Sequence, residues 1–265
     1  MTNNPRPKSE YSIQTVRNAL RLLESFSEHD ELGVSELSRR LSLHKNNVFR
    51  LLATLEEQGY IEQCSRSERY RLGLRCLELG RSFARGHSLL GSARSILEEL
   101  TEHTGESSHL AVQSDYEVVH LDGQLPENLI LSASRVGRRL PLHCTALGKV
   151  LLGCGNERAR ERFDRKFLRP NGLASRTAST ITDRDKFFEH LRGVAVQGFA
   201  LDLDETEVGL HCLAAPVFDA QGVVVAALSI SGPAPRLSEE RLLGELETEI
   251  SDAAHRLSRA LGHAS

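Results

Sequence analysis

The stretch from Ile13 to Gly59 constrains the fold most. It holds three apolar runs with helical spacing, separated by breaks only a few residues long. Ile13, Val16, Ala19, Leu20, Leu23 and Phe26 form the apolar face of a helix that Ser12 can cap and that extends to about Glu28. His29-Asp30-Glu31-Leu32-Gly33 breaks it. A short helix over about Ser35 to Leu41 turns Leu37 and Leu41 inward, and Ser42-Leu43-His44 allows only a tight connection. A third helix, about Lys45 to Gln58, gathers Val48, Leu51, Leu52 and Leu55 on one face, and Gly59 is placed to end it. Tyr60–Gln63 and Tyr70–Leu72 read as two short strands about the polar turn Ser65-Arg66-Ser67-Glu68.

Helix, short helix, tight turn, helix and hairpin is the order of a winged helix-turn-helix. The apolar side of the third helix then holds the small core, and its other side is free to enter a major groove. That side carries Lys45, Asn46, Asn47, Phe49 and Arg50, with Ser35 and His44 at the two helix starts as further candidate DNA contacts. Arginine and lysine suit phosphates or guanine edges, and asparagine suits adenine. Arg66 and Arg69 place positive charge at the hairpin, beside an adjacent backbone or minor groove. The bland alternative is a small helical bundle with a solvated polar face. Charge leans toward DNA: residues 1–86 hold 14 basic and 11 acidic side chains, while the whole chain carries a net −3.

Residues 1–10 read as a disordered tail, 11–73 as the DNA-binding domain, and 74–87 as a linker helix with Leu74, Leu77, Leu79 and Phe83 apolar. That helix either connects domains and pairs with its copy in a dimer, or simply caps a domain. From 88 to 265 helices and strands mix without βα alternation. Strands are expected at Ser108–Gln113, Glu117–Asp122, Leu129–Ser134, Ala200–Leu203, Leu210–Phe218 and Val223–Ser231. Helices are expected over about Leu89–Thr104, Thr145–Leu152, Glu157–Phe167, Asp183–Val196 and Ser238–Leu261. This predicts an α+β sensor-type domain with an antiparallel sheet. Five scattered cysteines without paired spacing argue against a disulfide framework, and a reducing cytoplasm is the expected location. No secretory h-region and no run of membrane-spanning length is present, so no membrane partner is expected. With no tryptophan and 5% aromatics, an aromatic-lined sugar or nucleic-acid platform is not expected.

Several strings resemble the IclR family of bacterial transcription regulators. In front stand Leu37-Ser38-Arg39-Arg40-Leu41, the run Arg50-Leu51-Leu52-Ala53-Thr54-Leu55-Glu56-Glu57-Gln58-Gly59-Tyr60, and Tyr70-Arg71-Leu72-Gly73. Behind stand Leu140-Pro141-Leu142-His143-Cys144-Thr145-Ala146-Leu147-Gly148-Lys149, the run Gly209 to Asp219, and Leu228-Ser229-Ile230-Ser231-Gly232-Pro233. The resemblance spans about Ile13 to the C-terminus. It implies a winged helix-turn-helix, a GAF-like effector domain, operator DNA as partner, a homodimer or dimer of dimers, and repression or activation altered by a small metabolite, often an organic acid. It implies no cofactor and no catalysis. The recognition helix departs from the family pattern: His44-Lys45-Asn46-Asn47 stands where Pro-Lys-Ser-Thr is common, and Phe49 where His is frequent. The departure bears on which operator is read.

The resemblance further implies an effector site made of the backbone amides of Ala146 and Leu147, the side chains of Asp202, Cys212, Ser229 and Ser231, and Leu210 as an apolar wall. The residue types suit this. Ala146 and Leu147 fall where a helix starts and free N–H groups attract a carboxylate, and residues two apart on a strand share a face. Each has a plain alternative, such as a serine bonded to the backbone or a buried thiol acting as a small apolar group. Three rival readings remain at this level: a metal-responsive site from His143, Cys144, Asp202, His211 and Cys212, redox sensing through Cys212 or Cys144, and an enzyme using a Cys212–His143 pair.

Overall fold

The computed structural model describes residues 12–27, 29–86, 88–126 and 135–264. The chain divides into two compact units, 1–86 and 87–265.

In the smaller unit, α1 (Gln14–Glu24), α2 (Val34–Leu41) and α3 (Lys45–Glu57) precede the hairpin β1 (Ile61–Gln63) and β2 (Tyr70–Leu72), and α4 (Leu74–Arg85) follows. The periodic leucines do what their spacing dictates: Leu22, Leu37, Leu41, Val48, Leu51 and Leu52 meet Phe26, Leu32, Ile61 and Tyr70 in one apolar core. The turn between α2 and α3 passes through a left-handed Ser42 (φ 56°, ψ 42°). The Ser38 hydroxyl secures it by donating to the Leu43 carbonyl at 2.6 Å. The hairpin pairs Ile61 with Leu72, and Leu32 joins its far end through two 2.9 Å bonds with Tyr70. Two expectations for α1 need correction. Ile13, not Ser12, occupies the cap position, because the Ser12 hydroxyl accepts from Arg17 instead. The helix also stops at Glu24, where i→i+3 bonds from Phe26 to Leu23 and Ser27 to Glu24 tighten the chain into a turn. Helix α4 is preceded by an extended Gly73 at its cap position, buries no residue, and leaves Leu74, Leu77 and Leu79 exposed.

The larger unit opens with α5 (Ser88–Thr104). Its sheet runs β5-β4-β3-β8-β7-β6, antiparallel throughout, from β3 (Ser107–Ser114), β4 (Glu117–Gln124), β5 (Arg139–Pro141), β6 (Ala200–Leu203), β7 (Leu210–Phe218) and β8 (Val224–Pro233). Between β5 and β6 lie α6 (Ala146–Gly153), α7 (Glu157–Phe163), a π turn over Asp164–Leu168, α8 (Arg169–Asn171) and α9 (Arg184–Gln197). The chain closes with α10 (Glu239–Arg241), a second π turn (Leu242–Leu246) and α11 (Glu247–Ala260). Strand β5 was not expected, since three residues ending in proline carry no alternation to read. The expected strand Leu129–Ser134 lies outside the described residues. The expected helices Glu157–Phe167 and Ser238–Leu261 are each interrupted by a π turn.

The central strands β3, β7 and β8 are covered on both faces, so alternate residues enter different cores. Leu110, Leu213, Ala215, Leu228 and Ile230 pack under α5 and α11 with Leu97, Leu100, Ile250 and Leu257. Ala111, Val118, Ala200, Cys212, Ala214 and Ala227 face α6 and α9 with Leu147, Val150, Leu151 and Leu191. Helix α6 lies close: a Cβ on Gly148 would stand 2.2 Å from the Leu142 carbonyl oxygen, so no larger residue fits.

Candidate functional site

The face of α3 away from the small core carries His44, Lys45, Asn46, Asn47, Phe49 and Arg50, all exposed, and Ser35 is exposed at the start of α2. Phe49 keeps 57% of its surface accessible, an unusual position for a large aromatic ring on a helix whose other face fills a core. Arg66 is exposed in the hairpin turn. Arg69 is placed differently from its neighbour. It donates to Glu36 Oε2 at 2.7 Å and to the Glu31 carbonyl at 3.0 Å, bracing the turn end of the hairpin against α2 and the segment before it. The same Glu36 accepts from the Gly33 amide at 2.9 Å, which holds its carboxyl below the usual range.

In the larger unit the antiparallel register builds polar rows on the α6 face. Asp202 stands opposite Cys212, and Cys212 opposite Ser231. One step along, Ser229 stands opposite His109, and His109 opposite Gly123. Asp202, Cys212, Ser229, Ser231, Ala146 and Leu147 all line one pocket, together with His109, His120, Arg135, Leu140, Thr145 and Thr206. The free volume is about 20 Å³, room for roughly one water, so any larger ligand must part the side chains around it. The Thr145 hydroxyl accepts the Gly148 amide at 3.0 Å, and its carbonyl accepts that of Lys149. The Ala146 and Leu147 amides are the first two of the helix and lie outside its ladder, at its positive end. Leu210 does not join this lining. It shares a face with Cys212 but lies one pair further out, opposite Pro233 at the strand's start, and packs against the apolar core there.

A buried network fixes the Asp202 side of the pocket. Asp202 Oδ1 accepts the Glu205 and Thr206 amides at 2.8 and 3.2 Å. The Thr206 hydroxyl donates to the Cys144 carbonyl at 2.9 Å, that of Thr180 to the Glu205 carbonyl at 2.7 Å, and Arg176 to the Thr206 carbonyl at 3.1 Å. Lys149 on α6, wholly buried, is paired with Glu205. Burial pushes both carboxyls, Asp202 and Glu205, above their ordinary values, while Lys149 pulls each back.

The rival chemistries do not assemble. Burial drives the Cys212 thiol well above its ordinary value, with the Asp202 charge adding to the effect, and drives Cys144 up to about 11. Both shifts disfavour the thiolate on which nucleophilic and redox chemistry depend. His143 does not line the pocket: its Nε2 contacts the Ala174 carbonyl at 2.9 Å and its ring stands edge-on to Phe187. His211 points away from Cys212 and contacts the Leu237 carbonyl through Nδ1. No group of three or more metal-ligating side chains converges among the described residues.

His109, His120, Arg135, Thr145 and Thr206 were not anticipated. His120 interrupts the otherwise apolar segment Val118–Leu121, and a polar residue inside an apolar strand run is the signal that could have found it; His109 follows Ser107 and Ser108 at the polar start of its strand and gave no such signal.

A helix-turn-helix whose third helix exposes a polar face, joined to an α+β unit with a small pocket lined partly by polar side chains, is the architecture of a DNA-binding regulator with a second, sensor-type domain. Residues 82–259 match the family described as bacterial transcriptional regulator IclR C-terminal, and residues 15–65 match the IclR helix-turn-helix domain. The chain belongs to the IclR family: it is a DNA-binding transcriptional regulator with a C-terminal effector-binding domain. It is 36% identical to the HTH-type transcriptional regulator KdgR of Escherichia coli (strain K12) over 264 residues, 99% of this chain and 98% of that one. Its fold is similar to the IclR transcriptional regulator from Alicyclobacillus acidocaldarius, with a TM-score of 0.84, 26% identity, and 95% and 100% of the two chains covered. It is also similar to an IclR homologue of Microbacterium hydrocarbonoxydans complexed with 4-hydroxybenzoate, with a TM-score of 0.80, 24% identity, and 94% and 99% covered. The last likeness is one of fold.

Proposed function

We propose that this regulator reads operator DNA with α3 and that a small organic acid, bound in the pocket beneath α6, changes its occupancy. The observation that carries the effector reading is the convergence of the Asp202–Cys212–Ser231 row and Ser229 on the first amides of α6. A helix N-terminus favours a carboxylate, and the flanking hydroxyls and thiol suit a small polar body. Lys45 and Arg50 contact phosphates or guanine edges, and Asn46 and Asn47 contact base edges. Arg66 reaches an adjacent backbone from the hairpin turn.

The exposed leucines of α4 favour a homodimer, in which α4 pairs with its copy and transmits the effector domain's state to the spacing of two DNA-binding heads. Such an effector acts only by binding one spacing better than the other. A cytoplasmic, non-catalytic role fits the relatives, which are transcriptional regulators. Fluorescence polarisation on a labelled duplex from upstream of the coding region, with excess nonspecific competitor and a panel of small acids, tests the reading. Competitor-resistant binding that an acid alters supports it, and the Ser229→Ala/Ser231→Ala protein should bind DNA but respond to acid at least tenfold more weakly. An unaltered response in that protein would refute the pocket.

A further inference from the structure

The small unit has a cleft of its own, between α1 and α3. It measures about 250 Å³ and is lined by Thr15 and Asn18 of α1 and by Asn47, Arg50, Leu51 and Thr54 of α3. One water needs roughly 10–15 Å³ of such space, so the cleft admits a far larger group. None of the residues lining it is acidic.

Helix geometry explains the lining. Residues three and four apart share one side of a helix, so Asn47, Arg50, Leu51 and Thr54 make a single stripe along α3, with Thr15 and Asn18 across from it on α1. Leu51 is the buried floor and belongs to the apolar core. Phe49 lies one residue from Arg50, about 100° round the helix, and stands outside the cleft, as do Lys45 and Asn46. The exposed face of α3 therefore has two parts, and Arg50 belongs to the part beside α1.

The groups in the cleft suit an anion. The ion pairs of the small unit engage Arg69, Arg71 and Arg75, and Arg50 has no carboxylate partner among the described residues. Asn18 Oδ1 accepts from Gln14 Nε2 at 3.0 Å, which leaves the NH2 as its free end. The Thr15 hydroxyl has no partner among the described residues. Thr54 differs, because it donates back to the Arg50 carbonyl at 2.9 Å and supplies only a wall. Neither α1 nor α3 has an acidic residue in its first turn. A guanidinium, an amide NH2 and a hydroxyl about one space are the donors that hold a nucleic-acid phosphate.

We propose that this cleft seats one phosphate of the operator backbone, with Arg50, Asn18 and Thr15 as its donors. Helix α1 is then part of the DNA interface, Arg50 anchors the duplex without reading sequence, and base reading falls to its neighbours on α3. This rests on the reading of α3 as the helix that enters DNA.

The test uses the full chain and labelled duplexes that wild type selects from random sequences. Fluorescence polarisation between about 50 and 200 mM salt gives affinity and salt slope. Arg50→Gln should weaken binding roughly tenfold on every selected sequence alike and lower the salt slope by about one. Its own selection should return the wild-type base preferences. Thr15→Ala/Asn18→Ala should weaken binding roughly fivefold with preferences unchanged. Asn18→Asp, of the same size, should weaken it roughly tenfold by setting a carboxylate against the phosphate. Thr54→Val should stay within about twofold of wild type. Neutralising one phosphate at a time as its methylphosphonate should reveal a position that weakens wild type and leaves Arg50→Gln unmoved.

A relaxed preference at one base position in Arg50→Gln, wild-type affinity in either α1 variant, or no such phosphate overturns the inference. So does an altered sedimentation mass in the α1 variants at unchanged DNA affinity, which would put a second copy of the chain in the cleft. Should the α1 variants fail to fold, the Arg50→Gln preferences and the phosphate scan still decide. Asn46→Ala separates the two levels: altered base preferences there keep α3 as the reading helix even where the cleft fails, and wild-type affinity and preferences in both Asn46→Ala and Arg50→Gln remove that reading itself.

Discussion

The two units solve the same problem, presenting polar chemistry on an apolar frame, in opposite ways. Among its described residues the DNA-binding unit buries no polar or charged side chain, and its candidate contacts stand on the outside of a helix whose inside is all leucine and valine. The effector unit buries His109, His120 and Asp202 in its sheet, and Glu106, His143, Lys149, Asp164 and Glu205 in the helices and loops packed around it. In the first, recognition and stability reside in different residues. In the second, the residues that line the pocket are also hydrogen-bonded into the core, so changing the site changes the fold's stability. Burial is the variable that separates them.

The sharpest break of this contrast is at Lys149. Its side chain is fully buried against Glu205, and Glu205 Oε2 already lacks a second partner among the described residues. Lys149→Ala leaves a buried carboxylate alone, at a cost of about 3–5 kcal/mol. Urea unfolding followed by circular dichroism should show that loss. Lys149→Met combined with Glu205→Gln should recover most of it, since a neutral, space-filling pair carries no charge to desolvate. A single mutant as stable as wild type would show that the pair is not desolvated in solution.

Acid should act on the same unit. Ordinary imidazoles titrate near 6.5, whereas burial holds His109 down to about 3 and His120 to about 4. As pH falls below about 6.5 the unfolded chain takes up protons that the folded one refuses, so stability drops. Above that pH both forms are neutral and these two groups contribute nothing further. By pH 5 the loss is roughly 2 kcal/mol for each ring. Urea midpoints at pH 7 and pH 5, with His120→Asn as the variant, measure it: the mutant should lose less on acidification.

On the other side of the contrast, Arg50→Ala should leave the urea midpoint and acid binding unchanged. Its affinity for duplexes selected by wild type from random sequences should fall roughly tenfold or more. Equal DNA affinity would remove α3 as the reading helix.

The same difference decides what was legible in the sequence. In the small unit one period sorts core from surface, so Val48, Leu51 and Leu52 inward and Lys45, Asn46 and Arg50 outward follow from spacing alone. Only the ends of α1 were misread: Ile13 holds the cap position while the Ser12 hydroxyl accepts from Arg17, and the helix stops at Glu24. In the large unit the α+β class and most strands were legible. The face a residue takes, however, depends on which strand pairs with which. Ser229 and Ser231 could be put on one face, but that His109 lies opposite Ser229 follows from β3 pairing with β8, more than a hundred residues away. Leu210 has the right parity for the pocket and misses it by one register step. Resemblance supplied the other candidate effector residues, while the pairing of the two histidines with them had to come from the fold.

Phe49 offers the finest test of the separation. A large ring that keeps 57% of its surface in water contributes little to the core it turns away from. Phe49→Ala should therefore shift stability by no more than about 0.5 kcal/mol, the ordinary range for an exposed position. If the ring's only role were local packing on α3, DNA binding would be equally unmoved. If it meets thymine methyls in the groove, affinity should fall for sites with A·T pairs at the contacted step and hold for sites without them. Selection of duplexes by wild type and by Phe49→Ala, compared position by position, separates the two. A change confined to one or two base positions places the ring in the groove, and a change in stability above the surface range would instead tie this face to the core and dissolve the contrast between the units.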